Sequence, residues 1–60
     1  MTYVQKMKNE NAEYEVSGVT YGYNSKTQKF YMEAGKEYFE FEQKSQYYYD
    51  MLSRINNTYM

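Results

Sequence analysis

The chain has no cysteine and no histidine. Without thiols it can form no disulfide, and with both residue types missing the common zinc ligand sets are unavailable. The same gaps remove the usual nucleophile and the usual base at neutral pH. Tryptophan and proline are also absent, Asp50 is the single aspartate, and no glycine-rich loop of the phosphate-cradling kind occurs. Glu40 and Glu42 could be drawn as a carboxylate pair. A retaining glycosidase, however, needs its carboxyls about 5 to 5.5 Å apart across a sugar-sized cleft, and so short a chain can hardly build one. The expectation is a protein that is not an enzyme and needs no cofactor or metal.

Long apolar runs are missing as well. No stretch approaches the roughly 18 apolar residues of a membrane span, and the N-terminus lacks the apolar core of a signal peptide. This predicts a soluble protein with no membrane partner, and the absence of thiols suits a reducing cytoplasm. Charge of one sign is lacking too: seven basic and eight acidic residues leave a net charge of −1. The whole chain is therefore neither a basic nucleic-acid binder nor a strongly acidic decoy, and local patches must carry any electrostatic message. A 60-residue chain buries only about 60 % of its unfolded surface. With disulfides and metals excluded, association with a second copy is the remaining way to support so thin a core.

What is plentiful is the aromatic ring, with ten Tyr and three Phe. Tyrosine combines large apolar area, a polar tip and little rotamer entropy, which favours it at interfaces. The plainer reading is that a chain poor in Leu, Ile and Val builds its core from Tyr. Ten rings are too many for one thin core.

Residues Met1 to Asn11 mix polar residues with scattered Met and Val and read as a flexible or short helical N-terminal arm, followed by one domain over 12–60. From Ala12 the pattern alternates. Tyr14 and Val16 share one parity, whereas Val19, Tyr21 and Tyr23 share the other, so the flip at Gly18 predicts a bulge within one long bent strand from Glu13 to Tyr23. A polar turn at Asn24 to Thr27 leads to a second strand over Lys29 to Ala34. Gly35 then opens a hairpin into a third, Glu37 to Glu42. On that third strand Phe39 and Phe41 occupy one side, and Tyr38, Glu40 and Glu42 the other. Tyr48, Met51, Leu52 and Ile55 recur at helical spacing, with Ser45 a possible N-cap. The predicted fold is α+β: a three-stranded antiparallel sheet with one C-terminal helix packed on it, dimeric.

Two features point to function. The segment from Glu33 to Glu42 sets Glu33, Glu37, Glu40 and Glu42 against a single Lys36, an acidic ridge among aromatics. Carboxylates along a strand can imitate phosphates while nearby rings accept an apolar side chain; the plainer reading is that charge on an exposed strand discourages edge pairing. In Tyr47-Tyr48-Tyr49 the side chains point about 100° apart on a helix. Tyr48 is then the core ring, and Tyr47 and Tyr49 are free for a dimer seam or a partner pocket, or simply pack around the helix shoulder. Two function classes follow, a protein-binding inhibitor and a tyrosine-rich single-stranded nucleic-acid-binding module that stacks bases on exposed rings. The dispersed basic residues and the acidic third strand favour the inhibitor.

Gly35, the Phe41-Glu42 pair and the helix Tyr49-Asp50-Met51-Leu52-Ser53-Arg54-Ile55 together resemble the small dimeric uracil-DNA glycosylase inhibitors made by tailed phages of Bacillus. The resemblance covers roughly residues 13 to 56 and rests on the order and spacing of elements. It implies a homodimer that occupies the DNA-binding groove of a host uracil-DNA glycosylase by mimicking DNA, protecting phage DNA in the host cytoplasm. It also implies an apolar pocket that captures the leucine with which that enzyme fills the space of the flipped base.

The family's important phenylalanine falls on Phe41 and its adjoining glutamate on Glu42. An acid of the family's second strand has Tyr31 in its place, with Glu33 two residues on. A later aromatic has no counterpart near Ser45, which implies a pocket rebuilt from the tyrosines at the helix start, Tyr47 and Tyr48. With Phe39, Tyr38 and Glu40 beside them, these residues make up the expected partner-binding surface. Phe41 lies opposite Glu40 and Glu42, so its ring is expected in a pocket between sheet and helix or across the dimer, with Glu42 on the rim. The competing expectation is that Phe41 is plain core.

Overall fold

The computed structural model describes residues 2–59. Its elements run α1 (Tyr3–Glu10), β1 (Tyr14–Val16), β2 (Val19–Asn24), β3 (Lys29–Ala34), β4 (Glu37–Phe41) and α2 (Gln46–Tyr59). The strands form one antiparallel meander in the order β1-β2-β3-β4.

The sheet therefore has four strands where the alternation predicted three. The segment read as one bulged strand is a hairpin: Ser17 and Gly18, with φ of 51° and 82°, turn the chain so that Val16 pairs with Val19. Positive φ at both loop positions marks a type I′ turn, whose twist matches that of the flanking strands. Partners three positions apart in sequence point to the same face, so the parity must flip across the loop. A bulge and a two-residue hairpin leave the same imprint on a hydrophobic pattern. Ser17 hid the difference, because serine seldom occupies the left-handed region.

The N-terminal segment folds into a capped helix packed on the sheet. Thr2 accepts from the Gln5 N–H (3.2 Å) while the Gln5 side chain accepts from the Thr2 N–H (3.1 Å), a reciprocal capping box. At the other end Asn11 adopts the left-handed conformation, and its N–H returns to the Lys6 carbonyl. Met7 is fully buried. The Thr-x-x-Gln spacing was the available signal for this helix.

Among the described residues, the eight buried hydrophobic side chains lie on one face of the sheet, with both helices over it: Val16, Tyr21, Phe30 and Phe41 from the strands, Met7, Tyr48, Met51 and Ile55 from the helices. The stripe expected on α2 thus meets the sheet, with Leu52 partly buried at its margin. Phe30 is the centre of the ring packing, within 5.0 Å of Tyr23, 5.2 Å of Tyr48 and 6.3 Å of Phe41, centroid to centroid. Ser45 directly precedes α2, but its hydroxyl donates to the Glu42 carbonyl (2.7 Å) and tightens the β4–α2 connection.

Candidate functional site

Strand alternation gives the sheet a second face, and among the described residues no helix covers it. The β3–β4 register sets Tyr31 opposite Glu40 and Glu33 opposite Tyr38. Each phenol thus stands across the ladder from a carboxylate, and the two rings stack at 5.3 Å. Four of the expected site residues share this small polar surface.

Glu40 is its best-held acid. It accepts from Tyr38 (2.8 Å), Thr27 (2.9 Å) and the Asn24 amide (3.2 Å). The Tyr38 hydroxyl above all, then Thr27, stabilises the ionised form and holds the carboxyl below its ordinary value. Asn24 owes its position to the β2–β3 turn, where its side-chain oxygen also accepts from the Lys26 N–H (2.9 Å). Tyr31 donates to Glu13. Its phenol is held well above the ordinary range, first by burial and then by the hydrogen bond to that carboxylate.

On the opposite side of β4, Glu37 is followed by two aromatic rings. Phe39 and Tyr47 are 45 % and 50 % exposed and meet edge-to-face at 4.9 Å, forming a ledge where β4 passes under the start of α2. Phe41 lies behind them, 6.3 Å from Phe39 and 6.1 Å from Tyr47, and is only 4 % exposed.

The nine expected residues therefore fall into separate groups. Tyr31, Glu33, Tyr38 and Glu40 share the helix-free face, Phe39 and Tyr47 form the ledge, and Phe41 and Tyr48 are in the core. Glu42 lies just past β4, beside a shallow depression lined by Lys29 and Lys44 among others. Phe41 and Glu42, adjacent in sequence, do not share a surface.

Asn24, Thr27 and Glu13 are the partners that sequence reasoning missed. Asn24 ends β2 and Thr27 sits in the turn after it, a segment that carried no functional signal, and Glu13 precedes the sheet. Among the described residues there is no cluster of His, Cys, Asp and Glu suited to a metal ion. No helix there is long and apolar enough to cross a membrane. No family model, curated protein or solved structure matches the chain. The fold defines a small α+β protein with a four-stranded antiparallel sheet and a C-terminal helix.

Proposed function

We propose that this protein is a non-catalytic inhibitor that binds a host uracil-DNA glycosylase and blocks its DNA-binding groove as a phage-encoded DNA mimic in the host cytoplasm. The observation that carries the reading is the two-sided β4 strand, with the hydrogen-bonded acid Glu40 and the Tyr38 phenol on one face and the exposed Phe39–Tyr47 ledge on the other. Carboxylates held by neighbouring hydroxyls present fixed negative charge to a cationic groove. An exposed pair of rings offers the apolar wall against which a protruding leucine side chain packs. Phe41 acts from beneath as the support of that wall, and Glu42 as a peripheral charge. Binding is to protein and requires no nucleic acid, membrane or cofactor; the working form is a homodimer.

Titration into a uracil-excision assay with a bacterial glycosylase tests the proposal. The expected result is stoichiometric loss of excision that is relieved by added enzyme and not by added substrate. Full excision at a large excess of the protein refutes it. Saturable binding of labelled single-stranded DNA with a steep salt dependence would transfer the assignment to a base-stacking module.

A further inference from the structure

We infer that two copies of this chain join through their β4 edges, in an antiparallel register centred on Phe39, to make one continuous sheet with all the helices on the same face. The inference rests on the dimeric state proposed above and adds to it the seam and its register.

The two edges of the sheet differ. At the β1 edge the Tyr59 hydroxyl accepts from the Glu15 N–H (3.2 Å) and donates to the Glu15 carbonyl (2.7 Å). Both outward backbone groups of that residue are thereby occupied by a side chain from the end of α2, and pairing with another strand is blocked. At β4 the ladder bonds go to β3 alone. Among the described residues no side chain bonds the backbone of Glu37–Phe41 on its outer side. One edge is closed and the other open.

The register follows from backbone geometry and charge. Ala34 and Glu37 flank a two-residue turn, so they form a hydrogen-bonded pair, and alternation turns the N–H and C=O of Tyr38 and Glu40 outward. Antiparallel joining of identical edges puts the two-fold axis perpendicular to the sheet and keeps both copies' helices on one side. Only a residue pairing with itself at Tyr38, Phe39 or Glu40 lets the outward groups meet near the strand centre. Pairing at Glu40 opposes two carboxylates, which is destabilising. Pairing at Tyr38 sets Glu40 against Lys36 in the turn and leaves less of the strand in the ladder.

Pairing at Phe39 places Tyr38 opposite Glu40 of the second copy in both halves. Each such pair exchanges its backbone bonds and sets phenol beside carboxylate. Phe39 then faces Phe39 of the second copy at a non-hydrogen-bonded position, where Cα atoms lie about 4.5 Å apart and side chains are closest. Tyr47 from each copy flanks the join, so the two ledges meet across the seam and line one apolar groove on its helix side, where the wall proposed above stays open to the partner.

Because the chain has no cysteine, single-cysteine variants report the seam directly. Sedimentation equilibrium at micromolar concentration should give twice the 7.4 kDa chain mass. Phe39→Cys should crosslink to itself on mild oxidation, since a separation of about 4.5 Å lies within the disulfide range. A mixture of Tyr38→Cys and Glu40→Cys chains, which keeps Phe39, should give mixed dimers in preference to self-linked ones. Glu15→Cys at the closed edge should stay uncrosslinked. A monomer mass for the native chain overturns the inference. So does a dimer that crosslinks through position 15 and not through positions 38, 39 or 40. Neither readout involves the glycosylase, so failure of the inhibition assay leaves this result standing.

Discussion

The Tyr31 ring covers the backbone of Gly22, its partner across the β2–β3 ladder, so closely that a Cβ at Gly22 would come within 2.7 Å of the Tyr31 Cε2. Glycine weakens a strand interior by itself, and a ring laid over the gap restores the lost packing. Gly22→Ala should therefore cost about 1–3 kcal/mol of stability through overpacking. In a Tyr31→Ala background the same change should cost much less. A double-mutant cycle by urea denaturation measures the coupling, and additive effects would show that the ring does not set the requirement for glycine.

Phe39 and Phe41 should separate function from folding. Phe41→Ala empties a core position and should cost about 3–5 kcal/mol, enough to unfold much of a marginal small domain. Phe39→Ala should keep its native circular dichroism while losing about 2 kcal/mol of glycosylase binding, as a hot-spot ring does, read at a concentration where sedimentation shows the variant dimeric, because the same ring stands at the inferred seam. A folded and fully inhibitory Phe39→Ala protein would remove the ledge from the site.

Two groups on the helix-free face make stability depend on pH at opposite ends. Glu40 has a lowered pKa in the fold, so its contribution is present above the ordinary value of 4.5 and is lost as pH falls through the folded value. Tyr31 has a raised pKa, so its contribution is present below 10.0 and is lost as pH rises beyond it. Thermal melts across pH should show Glu40→Gln weakening the acid-side loss and Tyr31→Phe the alkaline-side loss. An unchanged alkaline profile in Tyr31→Phe would rule that residue out as its source.

Tyr59→Phe removes the hydroxyl that occupies the β1 edge. The exposed setting of both bonds puts the loss near the lower end of the usual range, about 0.5 kcal/mol. The larger expected effect is on association, because the freed edge can pair. Light scattering should show concentration-dependent species larger than the native form. A variant that scatters as the native protein does would mean that the edge is protected in some other way.

Much of this protein was legible in the order of its residues. Helical spacing at Tyr48, Met51 and Ile55, alternation in Phe39 to Phe41 and the hairpin at Gly35 are local patterns, and local patterns follow from the fixed periods of helix and strand. One element was misread and one was legible only as an alternative. The Ser17-Gly18 turn imitated a bulge because both reverse the facing of the next residues, and α1 was read as a flexible or short helical arm because its capping box was its main signal. The division of the candidate site was legible in part. Alternation separates Glu40 from Phe41 onto opposite faces, but only the placing of both helices on one side decided which face became core and left Tyr31, Glu33, Tyr38 and Glu40 uncovered. Likewise only the return of Tyr59 to Glu15, across most of the chain, closed one edge of the sheet and left β4 open. Contacts so distant in sequence depend on the packed fold and leave no periodic trace in the chain.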